Sequence, residues 1–372
     1  MTESDANDSA RARDTTLAEV LEYSEEDLRR DLIAAGADYR IAAPGPGDGD
    51  PESVRRAYLG LLKLSLCDLV GVRTMSVARE GDSRARSSRP YVRELPPEEL
   101  PLRVQGGDWP LGALTMVGLK RLDDLQECVE NVVSDGVDGD LIEAGAWRGG
   151  ASMLMRATLD SLGARDREVW VADSFAGLPA PDSAFPEDRA LDLSAQAFLS
   201  VPLEDVTANF AKLGLDEGVT FVHGFFEETL PGLAGNRWAV ARLDGDTYES
   251  TWLSLSSLYP GMQEGGFLIL DDYVLIPECR AATEDFRTAH GITEPIVEID
   301  KHGARWRVER PIERPEALPA EGDRRPTTPG VRRSGAAAAN REPVPPRVDA
   351  VHPYARAKRA LRSLVRRVGI GG

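Results

Sequence analysis

From Asp140 onward, short apolar runs alternate with longer stretches in which apolar residues recur every three or four positions. The short runs over Asp140 to Gly145 (DLIEAG), Glu168 to Asp173 (EVWVAD), Val219 to His223 (VTFVH), Trp238 to Asp244 (WAVARLD) and Gly266 to Asp271 (GFLILD) predict strands. Their largely unbroken hydrophobicity predicts that both faces are covered. Helical spacing fills Ala151 to Leu162, Leu203 to Leu213 and Pro277 to His290, and Glu294 to Asp300 with Ala304 to Glu309 predict a closing antiparallel pair. Strands alternating with helices give an α/β fold with a parallel, doubly wound sheet.

Ahead of this block the pattern is helical and interrupted. Thr15 to Gly36 carries Leu17, Val20, Leu21, Leu28 and Leu32 at helical spacing, and APGPGDGDPES then breaks it. Arg55 to Val70 places Tyr58, Leu61, Leu62, Leu66 and Leu69 on one broad stripe, which predicts a helix acting as a lid or an oligomer contact. Charge and proline over Val77 to Val104 predict a mobile loop over a site, and Thr115 to Val133 predicts an amphipathic helix with Thr115 as its N-cap. The chain thus divides into an extension (1–54), a lid and loop region (55–112), a main domain (113–310), a low-complexity linker expected to be disordered (311–353) and a C-terminal helix (354–372). That last segment, Tyr354 to Val368, carries six basic residues and no acid, and suits an acidic partner or an anionic membrane surface as well as plain solvent.

Composition narrows the function. A net charge of −18 over 372 residues argues against nucleic acid, whose binding depends on lysine and arginine displacing counterions, and favours a small-molecule partner. Three scattered cysteines form neither a disulfide framework nor a thiolate zinc site. The polar first residues lack a signal-peptide core and no run is long enough to span a bilayer, so the expected location is cytoplasmic.

Three groups of residues carry chemistry. Glu143-Ala-Gly-Ala-Trp-Arg-Gly-Gly150 follows a strand and opens a helix, an elbow at which backbone N–H groups meet a ligand. The spacing of Gly145, Gly149 and Gly150 is not the dinucleotide fingerprint, and Glu143 would repel a pyrophosphate but suit the ammonium of an amino-acid-like cofactor. Asp173 in VADSF lies where this architecture brings a carboxylate to the ribose hydroxyls of an adenosine; Ala146, Trp147, Ser152, Ser174 and Phe175 flank these two turns. Gly224, Phe225 and Phe226 follow the third strand, where the aromatics either flank an adenine ring or belong to the core. Four acids, Asp244, Asp246, Asp271 and Asp272, end strands on one rim, and such a cluster of hard oxygens calls for Mg²⁺, with Mn²⁺ as substitute. A cation there lowers the pKa of a substrate hydroxyl while a neighbouring carboxylate takes the proton.

LIEAGAWRGGAS, VADSFAGLP, LDGDTYEST and GGFLILDDY, preceded by DWPLGALTMVGLKRLDDLQ, together resemble the macrocin O-methyltransferase family from about Tyr58 to about Val308. The resemblance implies a Rossmann-like class I methyltransferase sheet with an N-terminal helical lid, S-adenosylmethionine as methyl donor, Mg²⁺ dependence, a glycosylated hydroxyl acceptor and a homo-oligomer. It also implies that Glu143, Gly145 and Asp173 bind the cofactor and that Asp244, Asp271 and Asp272 hold the metal, with Asp246 as general base. The split of roles between Asp244 and Asp246 stays open; the strand end favours Asp244 as ligand. Leu114 stands where the family pattern leads to a histidine. Rival readings are a catechol-type metal-dependent methyltransferase and a non-catalytic protein that keeps the fold; the presence of all four acids speaks for live chemistry.

Overall fold

The alternation folds as a seven-stranded sheet in this computed structural model, which describes residues 25–80, 89–181, 185, 187–188, 193–194 and 196–312. The linker and basic helix expected beyond residue 312 lie outside the described residues, as does the first part of the helix expected over Thr15 to Gly36. That helix is α1 (Glu25–Gly36) where it is described. Next comes α2 (Pro51–Leu66), whose start is written in GDGDPES: Asp50 accepts from the backbone N–H groups of Glu52 and Ser53, and Pro51 occupies the first turn. Its inward stripe, Leu59, Leu62 and Leu66, is buried, while Val54, Tyr58 and Leu61 face outward.

Where it is described, the segment expected as a loop over Val77 to Val104 is largely strand and helix. It contributes β1 (Met75–Glu80) and β2 (Arg89–Glu94), an antiparallel pair, then α3 (Leu100–Gln105); β3 (Trp109–Pro110) adds to β1 on its other side. Arg103 shows why its charge misled: this buried side chain is held by Asp108 at 2.7 Å and by the carbonyl of Cys67. The next helix, α4 (Leu119–Ser134), begins four residues later than expected. Gly118 at φ 83°, pressed against the carbonyl of Val104, sets that start, and Thr115 instead accepts from the N–H of Val117.

The main block runs β4 (Asp140–Ala144), α5 (Gly150–Leu162), β5 (Val169–Asp173), α6 (Leu203–Leu213), β6 (Val219–His223), α7 (Phe226–Thr229), β7 (Trp238–Leu243), α8 (Tyr248–Leu258), β8 (Met262–Leu270), α9 (Pro277–His290), β9 (Val297–Glu298) and β10 (Ala304–Arg307). The sheet order is β6-β5-β4-β7-β8-β10-β9, parallel from β6 to β8 and closed by two antiparallel strands. Chain order reverses between β4 and β7, the switch point at which open α/β sheets form a crevice at strand carboxyl ends. Helix α8 was not expected; Thr247 caps it by accepting from Ser250.

One apolar core lies on each side of the sheet. On one side Leu59, Leu62 and Leu66 of α2 share a cluster with Leu122 of α4 and Leu154 of α5. The N-terminal helices are thus built into the main fold. Leu114 makes the join: its N–H donates to the carbonyl of Leu66 at 2.7 Å, and its own carbonyl accepts from Gly150 N–H at 3.0 Å. Among the described residues no helix is long and apolar enough to cross a membrane.

Candidate active site

The elbow forms at the switch point because three backbone positions adopt positive φ. Gly145 (φ 93°) ends β4 with no room for a side chain, since a β-carbon there would fall on the carbonyl oxygen of Asp244. Trp147 (φ 50°) and Gly149 (φ 87°) complete the turn into α5. Asp173, at the end of the neighbouring β5, stabilises it: one carboxylate oxygen accepts from the N–H groups of Ala146 and Trp147 at 2.7 and 3.1 Å, and the other accepts from Phe175 N–H at 2.7 Å.

A cleft of about 670 Å³, solvent included, opens over this elbow. Of the expected cofactor residues, Gly145, Trp147, Asp173, Ser174, Phe225 and Phe226 line it, together with Asp244 and Asp246. Gly224 (φ 144°) turns the chain from β6 toward the two phenylalanines. Phe175 is buried against Phe221 and His223 beneath the cleft.

Glu143 and Ser152 lie deeper than the sequence suggested. Glu143 is buried and accepts from Ser152 N–H at 3.0 Å, from the Ser152 hydroxyl and from Arg242 Nη1 at 2.6 Å. Burial pushes its carboxyl up to about 7, against Arg242 and Ser152, which favour the charged form. In this structure it fastens the first turn of α5 to β7.

The strand-end acids divide into two sets. Asp244, Asp246 and Asp272 each bring a carboxylate oxygen within 4.8 Å of the others. At an effective dielectric of 20, each ionised pair at that distance repels by about 3 to 4 kcal/mol, well above the 0–1 kcal/mol typical of an exposed ion pair. Burial, then the neighbouring carboxylates, accordingly push Asp246 to about 8, and burial followed by Asp271 lifts Asp244 to about 6 against Arg242. Asp272, buried and facing Asp246 and Asp244, is driven well above the ordinary carboxylate range. Its Oδ2 is buried without a hydrogen-bond partner.

Asp271 departs from its expected place as a metal ligand. Its two oxygens are engaged by the buried guanidinium groups of Arg121 and Arg242, and these together overcome burial and hold its carboxyl below its ordinary value. Both acids lie just past the end of β8 at Leu270, where the chain bends, and there the two arginines engage Asp271 while Asp272 stays with the other acids. Asp246 (φ 58°) stands in the acidic group instead.

Sequence reading missed both arginines, although Arg242 is the one charge inside the apolar run WAVARL and Arg121 falls on the buried face of α4. It also missed Phe198, which stacks on Trp109 with centroids 5.3 Å apart and accepts the Trp147 indole N–H through its carbonyl at 3.0 Å. Leu114, in the position of the expected histidine, packs its side chain on the core; Met116, two residues on, lines the cleft.

A parallel sheet closed by an antiparallel strand, with a glycine elbow at its switch point and an acid ending the next strand, defines a class I S-adenosylmethionine-dependent methyltransferase. The family described as Macrocin-O-methyltransferase (TylF) matches residues 71–308. The 8-demethyl-8-(2,3-dimethoxy-alpha-L-rhamnosyl)-tetracenomycin-C 4'-O-methyltransferase of Streptomyces olivaceus is 47% identical over 259 residues, 69% of this chain and 94% of its own. The mycinamicin III 3''-O-methyltransferase of Micromonospora griseorubida is 46% identical over 210 residues, 55% of this chain and 82% of its own. The solved structure of the O-methyltransferase NovP, 38% identical, superposes with a TM-score of 0.60 over 69% of this chain and 100% of that one. The chain belongs to the macrocin O-methyltransferase family, and its chemistry is methyl transfer from S-adenosylmethionine to oxygen.

Proposed function

We propose that this enzyme methylates a sugar hydroxyl of a glycosylated natural product and that it does so with a divalent cation, Mg²⁺ or Mn²⁺, held by Asp244 and Asp272. The observation that carries the metal reading is the orphaned Oδ2 of Asp272 beside two further carboxylates, with no lysine or arginine paired to Asp246 or Asp272 among the described ion pairs. Hard oxygens alone suit Mg²⁺ rather than zinc. Bound there, such a cation offsets the mutual repulsion of the acids and lowers the pKa of a hydroxyl set against it. The acceptor class rests on the relatives, one of whose names includes a rhamnosyl group.

The chain's own groups then have separable roles. The elbow from Gly145 to Gly150 and Asp173 orient the cofactor, which supplies the methyl group on a positively charged sulfur. Phe225 and Phe226 line the cleft just past β6. Asp246, pushed to about 8 by burial and its acidic neighbours, takes the proton from the acceptor hydroxyl as the oxygen–methyl bond forms and the sulfur–methyl bond breaks. Positioning the two reactants in line supplies most of the rate.

The test is calorimetric titration of S-adenosylhomocysteine, with methyl transfer assayed in Mg²⁺ and in EDTA against rhamnosylated aglycones and a simple catechol. Methylation of the rhamnosylated acceptors that EDTA abolishes supports the reading. Transfer to the catechol alone would move the enzyme to the catechol type, and undiminished transfer in EDTA would remove the metal.

A further inference from the structure

Arg242 joins the two halves of the site. Its Nη1 donates both to Oε1 of Glu143 at 2.6 Å and to Oδ2 of Asp244 at 3.0 Å, and its Nη2 donates to Asp271. It lies in β7 directly opposite Glu143 in β4, so the sheet register fixes the pairing. Through Glu143 the guanidinium reaches Ser152 and the first turn of the elbow helix; through Asp244 it reaches the acidic group; through Asp271 it meets Arg121, which is also within 3.2 Å of Asp300. The Arg242 side chain is 2% exposed, so its bonds to Glu143 and Asp271 are made away from bulk water, while the Asp244 carboxylate is 28% exposed and reaches the cleft. A buried fork fixed on three carboxylates has few alternative arrangements, and a shift of any one partner is transmitted to the others.

We infer that Arg242 is a positioning residue that couples the cofactor elbow to the metal site, holding the Asp244 carboxylate in place only while Glu143 is in place. The inference rests on the metal reading above. Cofactor filling the elbow fixes α5 and Glu143, which fixes Arg242 and with it Asp244; a cation drawn to Asp244 orders the same chain in the opposite direction. The two ligands therefore bind cooperatively, and by linkage each raises the other's affinity by the same factor.

The experiment measures Mn²⁺ binding by electron paramagnetic resonance, and S-adenosylhomocysteine binding by calorimetry, each with and without the other ligand. In the wild-type enzyme Mn²⁺ binds about 10-fold more tightly when S-adenosylhomocysteine is saturating, and the reciprocal factor matches. Arg242→Lys keeps the charge but has no planar fork to span three carboxylates, so the factor drops to about 1 and kcat falls more than KM for the acceptor. Glu143→Gln, which keeps the shape and severs the charge link from the far end, also removes the coupling and, because Asp244 loses its support, weakens Mn²⁺ binding measured without cofactor. Full coupling in both variants, or none in the wild type, would overturn the role of Arg242. No Mn²⁺ binding by wild-type enzyme would overturn the metal reading itself, and the inference with it.

Discussion

Gly145 and Asp244 meet backbone to backbone where β4 and β7 end, with the glycine Cα facing the aspartate carbonyl and no space between them for a methyl group. The cofactor turn and the first acid are therefore one piece of structure. Gly145→Ala has to open this junction and also hold alanine at a φ of 93°. The variant should lose about 3 to 5 kcal/mol of stability, within the range of severe single substitutions, and lose cofactor binding with it. Thermal unfolding with and without S-adenosylhomocysteine reads both, and a wild-type melting curve would rule out the close approach.

Asp173 holds the elbow through three backbone N–H groups, and its carboxylate lines the cleft. Asp173→Ala should weaken S-adenosylhomocysteine binding at least about 10-fold, because charge-assisted bonds of this kind each contribute about 1.5 to 3 kcal/mol. Asp173→Asn should fall between the two. Calorimetry decides, and an unchanged dissociation constant for the alanine variant would exclude Asp173 from the cofactor site.

Asp272 lies within 4.8 Å of two other carboxylates with its Oδ2 buried and unpartnered. Replacing Asp272 with asparagine removes a buried carboxylate that burial and three acidic neighbours disfavour more than Arg121 supports. In EDTA, Asp272→Asn should melt at a higher temperature than the wild type, by several degrees for each kcal/mol of repulsion relieved, about 2 to 8 °C. In Mg²⁺ the order should reverse, and methyl transfer should be lost. A lower melting temperature in EDTA would mean that the carboxylate is structurally paired.

The acids also set a pH dependence with a definite sign. Asp246 is held at about 8 and Glu143 at about 7 in the folded enzyme, whereas both ionise near about 4 when unfolded. Their protonated forms thus favour folding, and that stability, complete below about pH 4, is lost as pH rises through the folded values. His302 runs the other way: burial, aided by Arg121, takes it down to about 3, so its contribution is intact above about pH 6.5 and disappears on acidification. Above about pH 7 the metal-free enzyme should therefore become less stable with rising pH, and Asp246→Asn should lessen the slope. Denaturant titrations at about pH 7 and about pH 8.5 in EDTA give the comparison; equal slopes for variant and wild type would show that Asp246 is ionised already.

Phe198, from the segment between β5 and α6, stacks on Trp109 and tilts against Trp147, which lines the cleft, and so braces that wall. Phe198→Ala should weaken cofactor binding by about 10-fold, since losing an aromatic pair forfeits about 0.5 to 1.5 kcal/mol beyond the lost buried area. Indole fluorescence on adding S-adenosylhomocysteine reads the change; a response identical to wild type would detach Phe198 from the cleft.

The sheet was legible because both-face burial leaves nearly unbroken apolar runs, and VTFVH and the helix from Leu203 to Leu213 begin and end where the sequence placed them. The elbow was legible because glycine is demanded where backbones touch. Two kinds of feature were hidden. The charged segment from Val77 to Val104 looked like solvent-exposed loop because sequence does not disclose that Arg103 is matched by Asp108 inside the fold. In the same way, adjacent acids in LILDDY look equivalent until contact geometry shows one held by two arginines and the other with a buried Oδ2 that has no hydrogen-bond partner. Arg121 and Arg242 stood in view, as charges in apolar surroundings, and only contact geometry told what they balance.

The two backbone hydrogen bonds of Leu114, one donated to the end of α2 and one accepted from the start of α5, bear on redesign. A graft that exchanges acceptor preference between relatives and is spliced near residue 113 would cut through the residue that pins the helical cap to the cofactor turn. Because Leu59, Leu62 and Leu66 share the core with α4 and α5, a chimera keeps the cofactor turn only if the segment from Pro51 through Gly118 and its partners on those helices come from the same parent.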